Sequence, residues 1–286
     1  MNEQAARRVT IYEVGPRDGL QNEATPIPTE AKIAFVNALV DAGVTWIETT
    51  SFVNPKAVPQ LADATEVMQG IKRRPGVRYP VLVPNERGME RALEAGIDAV
   101  ALFAAASEAF SQANIRATIY ESFERFGPVA RIAEREGIWL RGYVSTAFHC
   151  PFSGPVPVEQ AVVVAERLFE LGCDEVAIAD TIGHATPDDT RRLLELAVER
   201  LDVPRLAFHL HDTTGLALEN IRLALDAGIA IFDGSAGGLG GCPFAPGAPG
   251  NLATEKLVGM LDEMGIETGV DAQAVARAGE AMRALL

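Results

Sequence analysis

Eight runs of seven to nine residues, rich in apolar and β-branched side chains, recur along the chain. They are VTIYEVG (9–15), VTWIETT (44–50), RYPVLVP (78–84), DAVALFAA (98–105), IWLRGYVST (138–146), DEVAIAD (174–180), RLAFHLHD (205–212) and AIFDGSA (230–236). Several are nearly continuous apolar runs rather than alternations, the pattern of parallel strands covered on both faces. Between them lie stretches with helical spacing, among them TEAKIAFVNALVDAG (29–43), VEQAVVVAERLFELG (158–172) and PDDTRRLLELAVERL (187–201). Gly43, Gly96, Gly137, Gly172 and Gly228 each close such a stretch just before the next strand, where a left-handed residue ends a helix. Eight strands, the helices between them and a last helix in NLATEKLVGMLDEMG (251–265) predict a (β/α)8 TIM barrel, in the α/β class. An open doubly wound sheet is the competing reading, but no GxGxxG follows the first strand. No Pro/Ser-rich linker divides the chain, so residues 1–286 read as one domain, with a barrel over about 9–265 and a helical tail over 270–286.

Composition narrows the partners. With 286 residues, 48% apolar and 22% charged, the chain has the make-up of an ordinary globular enzyme. A net charge of −14 opposes binding to nucleic acid or an anionic membrane, while leaving room for a local basic patch. No apolar run is long enough to span a bilayer, and MNEQAARR has no apolar signal region. Three cysteines without CxxC spacing argue against a disulfide framework, so a reducing cytoplasm is the expected address.

In a barrel of this kind, chemistry sits at the C-terminal ends of strands. His209 and His211, two apart in the seventh strand, share a face and suit a divalent metal if other ligands arrive from elsewhere; a lone strand histidine is more often a core residue. The first strand runs into GPRDG (15–19), where Asp18 is a candidate carboxylate ligand and Arg17 a fixed cation, unless the tripeptide is a surface turn. Glu48 closes the second strand and either orients Arg17, binds a substrate hydroxyl or makes a plain salt bridge. After the eighth strand, DGSAGGLGGCPFAPGAPGN (233–251) carries seven glycines and three prolines, a loop of a length that is usually functional or disordered and that alone would read as a flexible turn with an incidental cysteine. Cys242 rides on it as a thiol able to exchange protons, and Asn251 ends it as either a helix N-cap or an amide-oxygen ligand. Asp180 and Thr181 after the sixth strand read equally as site residues or a capping turn. His149 and Cys150 lack an oriented third group, so nucleophilic catalysis is not inferred; Cys173 reads as structural and His184 as a solvated loop residue.

The segments EVGPRDGLQNE, IETTSFVNPK, YPVLVPN, RGYVS, DTIG, HLHDT and GGLGGCPFAPGAPGNLATE, in order over about 9–271, resemble the hydroxymethylglutaryl-CoA lyases. The RD and HxHD motifs are shared with the wider group of metal-dependent barrel lyases and synthases; GGLGGCP and ETTSFV are more specific. The resemblance implies that Asp18, His209, His211 and Asn251 hold Mg2+ or Mn2+. It further implies that Arg17 polarises the thioester carbonyl, Cys242 transfers protons, Glu48 belongs to the active site, and the chain is a homodimer acting on an acyl-CoA. Departures fall outside these positions: SAGGLGGCPF replaces the usual SVAGLGGCPY, Thr214 stands where an aromatic is common, and FHCPFSG replaces LGCPYEG. The implied activity is cleavage of 3-hydroxy-3-methylglutaryl-CoA to acetyl-CoA and acetoacetate, with Asp18 or a histidine near the metal as the candidate base. Competing readings are a lyase for another branched 3-hydroxyacyl-CoA, a 4-hydroxy-2-oxo acid aldolase, and a non-catalytic CoA-binding barrel.

Overall fold

A computed structural model of the chain describes residues 8–240 and 250–286. The eight expected strands are all present: β1 (Thr10–Glu13), β2 (in two pieces, Trp46–Ile47 and Thr50–Ser51), β3 (Val81–Leu82), β4 (Ala99–Ala105), β5 (Trp139–Ser145), β6 (Glu175–Asp180), β7 (Leu206–Leu210) and β8 (Ile231–Gly234). Every neighbouring pair is parallel, and β1 pairs with β8, so the order runs round on itself. The two halves of β2 close the circle. Trp46–Ile47 pairs with β1, Thr50–Ser51 with β3, and between them Glu48 N donates to Glu13 O and Thr49 N to Pro80 O, both at 2.9 Å. The third strand is much shorter than 78–84 because prolines at 80 and 84 remove two ladder donors. A small antiparallel hairpin, His149–Cys150 with Gly154–Pro155, stands beyond β5 at the C-terminal mouth.

Among the described residues ten α-helices surround the sheet: α1 (Thr29–Asp41), α2 (Ala64–Gly70), α3 (Glu86–Glu94), α4 (Glu108–Ile115), α5 (Ile119–Glu136), α6 (Val158–Glu170), α7 (Pro187–Arg200), α8 (Ala217–Asp226), α9 (Thr254–Glu263) and α10 (Ala272–Arg283). The α7 helix shows why these boundaries fall where they do. Thr186 accepts from Asp189 N, Asp189 accepts from Thr186 N, and Pro187 occupies the first turn, where its missing N–H costs nothing. All five glycines expected to end helices have positive φ, between 65° and 104°. The main core lies between the outward strand faces and the helices, and includes Val36, Leu39, Val100, Leu102, Leu168, Ile178, Phe208 and Phe232. The α10 tail docks rather than trails: a Cβ added to Gly279 would stand 2.5 Å from Gly237 N, so only glycine lets it lie against the turn after β8.

Inside the barrel the packing is different. Leu82, Ala101, Tyr143, Ala177 and Ala207 form a separate small cluster, where barrels more often carry large branched residues. Alanine side chains at three of these positions leave volume for a wholly buried arginine, Arg141, and the rings of Tyr12 and Tyr143. The Arg141 guanidinium carbon lies 3.7 Å from the centre of the Tyr12 ring and 4.7 Å from that of Tyr143. A charge in that position must be compensated, and its partners lead upward to the mouth.

Candidate active site

Beyond β1 the chain does not make a surface turn. Residues Gly15–Gly19 wind into a short π-helical turn in which the amides of Arg17, Asp18 and Gly19 all reach the Val14 carbonyl, at 3.1, 2.8 and 3.2 Å. Such wide turns concentrate at functional sites because they re-aim side chains. Here the turn sends Arg17 and Asp18 into the mouth: Arg17 is only 6% exposed, and its cation needs partners. Its Nε donates to Glu48 Oε1 and its Nη1 to Asp18 Oδ1 at 2.6 Å. Glu48 is fully buried and also accepts from Tyr12 Oη at 3.2 Å and Tyr143 Oη at 2.6 Å. The buried ion pair with Arg17 fits both the orienting and the salt-bridge readings. Burial works against the Arg17 charge, but Glu48 and Asp18 outweigh it and push its pKa further up, so the group stays cationic.

Asp18 meets the histidines. One ligand atom from each of Asp18, His209 and His211 lies within 4.8 Å of the others, a spacing one ion can bridge. The second Asp18 oxygen accepts from Asn251 Nδ2 at 2.8 Å, and the first also from Gln21 Nε2 at 2.9 Å. Burial alone would raise the Asp18 pKa; Arg17, the two histidines and Asn251 prevail and hold it at about 2. Asn251 is not a helix cap, since α9 begins at Thr254 after Ala253. Its Nδ2 is committed to Asp18 and the Leu239 carbonyl, leaving Oδ1 buried with no hydrogen-bond partner. His211 Nδ1 is likewise buried and unpartnered. Burial and His209 lower the His211 pKa to about 4, against the pull of Asp18, so the ring is neutral and keeps a lone pair. A carboxylate, two imidazoles and an orphaned amide oxygen together fit a hard divalent cation.

The backbone holds these groups in register. His211 bridges Asn251, Asp212 N donates to Gly250 O at 2.8 Å, and Asn251 N donates to Gly240 O at 3.2 Å. A Cβ on Gly240 would fall 2.8 Å from Asn251 Nδ2 and 2.9 Å from Gly19 Cα, so this glycine permits the close approach. Cys242 lies outside the described residues. Asp180 sits at the same mouth, but its carboxylate accepts from the backbone amides of His184 and Ala185, at 3.2 and 2.8 Å, which is the capping-turn reading. His184 is exposed, and the Cys150 thiol receives bonds from Ser107 Oγ and Phe152 N rather than from His149. Cys173 is fully buried, and burial lifts its thiol to about 12, in keeping with a structural role.

A family model described as HMGL-like matches residues 8–282. The chain belongs to the HMGL-like family. Within it, the chain is 50% identical over 278 residues to a hydroxymethylglutaryl-CoA lyase of Pseudomonas mevalonii, covering 97% of this chain and 92% of that one. The structure is similar to that of an HMG-CoA lyase from Brucella melitensis, with a TM-score of 0.96, 52% identity and coverage of 98% and 99%. It is also similar to an HMG-CoA lyase from Acinetobacter baumannii in complex with coenzyme A and 3-methylmalate, with a TM-score of 0.93, 38% identity and coverage of 100% and 93%. The match to this family agrees with the barrel and with the resemblance carried by the sequence motifs.

Several polar residues of the HMGL-like barrel were not singled out from the sequence: Tyr12, Glu13, Gln21, Arg141, Tyr143, Glu175 and Asp233. Arg141 and Asp233 did carry a signal, because a charge inside an otherwise apolar parallel strand must be paired across the barrel. Glu13 is fully buried and clips the end of β1 to β8 and α9, accepting from Gly15 N, Ala236 N and Thr254 Oγ1. Burial raises it to about 7, with Thr254 and the two amides pulling the other way.

Proposed function

We propose that this chain is a carbon–carbon lyase that cleaves 3-hydroxy-3-methylglutaryl-CoA to acetyl-CoA and acetoacetate, using Mg2+ or Mn2+ held by Asp18, His209, His211 and Asn251. The observation that carries this reading is the convergence of Asp18 with both histidines beside an amide oxygen that nothing else satisfies. The family match and the named lyases at about half identity over nearly the whole chain support the substrate. When bound, a divalent cation supplies Lewis acidity at the substrate's hydroxyl and a fixed template for its oxygens.

The remaining work falls to the protein. Breaking the C2–C3 bond sends charge onto the thioester oxygen, so a donor aimed there accelerates the step by favouring the transition state. Arg17 is that donor, its guanidinium held in place by the Nε bond to Glu48 and the Nη1 bond to Asp18. The hydroxyl proton goes to Asp18 or His209. His209 Nδ1 lies 3.1 Å from Asp233 Oδ2, and a neutral ring that donates to this carboxylate keeps its lone pair on Nε2. That lone pair either ligates or takes a proton, and if it ligates, Asp18 is the base. Cys242 then returns a proton to the departing carbon. Metal-loaded protein incubated with 3-hydroxy-3-methylglutaryl-CoA should release acetoacetate and stop on chelation. No acetoacetate from protein with bound Mn2+ would refute the substrate, and full activity of Cys242→Ser would remove that residue's role.

A further inference from the structure

The buried groups beneath the mouth form one connected chain. Arg141 Nη2 donates to Asp233 Oδ1 at 2.6 Å, and the other Asp233 oxygen accepts from His209 Nδ1. On its opposite side, Arg141 Nη1 donates to Tyr143 Oη at 3.2 Å, and Tyr143 donates to Glu48, which holds Arg17. Glu175 lies 3.0 Å from Arg141 Nε as an ion pair without hydrogen-bond alignment. Arg141 therefore reaches, each through one intermediary, the imidazole of the metal cluster and the carboxylate that supports the thioester-facing arginine. It touches neither directly. Its rigid fork presents two donors on diverging lines, which a lysine cannot reproduce.

We propose that Arg141 and Asp233 are positioning residues: Asp233, fixed by Arg141, sets the tautomer and ring orientation of His209 so that Nε2 faces the cation, while Tyr143 carries the same restraint to Glu48 and Arg17. This rests on the metal reading of the cluster. Two donors, Arg141 Nη2–H and His209 Nδ1–H, point at the two Asp233 oxygens. An asparagine there offers one acceptor and one donor, so one partner meets an N–H. Either the guanidinium loses its anchor, or the imidazole moves its proton to Nε2 and turns an N–H toward the cation.

The two arms predict separable effects. Asp233→Asn should weaken Mn2+ binding roughly 10–100-fold, the range usual for a carboxylate behind a ligating histidine, as read from free Mn2+ by electron paramagnetic resonance. Tyr143→Phe should leave Mn2+ affinity within about twofold and lower kcat on the order of tenfold, since a donor to the buried Glu48 carboxylate is lost. Arg141→Met should show both losses, and Arg141→Lys should not restore them. A merely structural role would instead lower both readouts in every variant, Tyr143→Phe included, in step with Tm. If Asp233→Asn does not fold, the contrast between Tyr143→Phe and Arg141→Met carries the test. A folded Asp233→Asn protein with wild-type Mn2+ affinity overturns the proposal, as does a Tyr143→Phe protein that loses Mn2+. A wild-type chain that binds no Mn2+ sinks the metal reading, and the proposal with it.

Discussion

Two turns at the same mouth each carry an aspartate, Asp18 partly buried and Asp180 buried, and they use it in opposite ways. After β1, Asp18 is held by side chains, from Arg17, Gln21 and Asn251. After β6, Asp180 is held by backbone, from the amides of His184 and Ala185. Their acidities separate accordingly. Burial raises Asp180, and its amide donors and nearby histidines do not fully offset this; burial acts on Asp18 too, but a neighbouring guanidinium overrides it. Glu13 belongs with Asp180, since two backbone amides and a hydroxyl occupy its oxygens and it too is raised. A carboxylate whose oxygens are taken up by the main chain shapes the fold. One that stays anionic among histidines and an unsatisfied amide is free to bind a cation.

That contrast can be broken most decisively at Asp18. Asp18→Asn should lose Mn2+ affinity by more than the roughly 10–100-fold typical of changes behind a ligand, with kcat falling alongside and Tm little changed. Retained Mn2+ binding and turnover would erase the distinction between the two turns. His211→Ala should weaken Mn2+ binding by a factor of about a hundred or somewhat less, because other candidate donors remain. Calorimetric titration measures this directly.

Glu13 sharpens the other side of the comparison through pH. Its folded pKa of about 7 exceeds the ordinary 4.5, so between those values the folded state holds a proton that the unfolded chain has released. Its contribution is fully present below 4.5 and is lost as pH rises through 7, a change of up to about 3 kcal/mol. Urea titrations at pH 4.5 and pH 8 should show a smaller difference for Glu13→Gln than for wild type; equal differences would contradict the assignment. The smallest effect is expected at Asp180. Asp180→Asn leaves one amide facing an N–H and should cost about 1–3 kcal/mol of stability. Its Mn2+ affinity should fall less than that of Asp18→Asn, since the contact to the cluster is indirect, through the Asp180 carbonyl that accepts from His211 N at 3.3 Å.

Much of this was readable from the residues. Apolar runs located all eight strands because a strand covered on both faces leaves an unbroken signal. His209 and His211 were legible because a period of two puts them on one face. The limits are equally physical. The shortening of β3 depends on which amides the ladder needs, and prolines at 80 and 84 withhold two of them. The split of β2 arises because alternate amides turn to different neighbours. Asn251 remained open until the start of α9 was known, and Asp18 could not be told from Asp180 by type or position. Arg141 and Asp233 lie 92 residues apart, and a pair across a barrel leaves no local pattern.

The shared acceptor at Val14 bears on how any of these substitutions should be interpreted. Three consecutive amides fix the path of the chain through residues 17–19 by backbone bonds that a change of side chain leaves in place. Exchanging the groups at 17 or 18 therefore changes what is displayed while the scaffold displaying it stands. Lost turnover at either position would then report on chemistry, not on a collapsed loop.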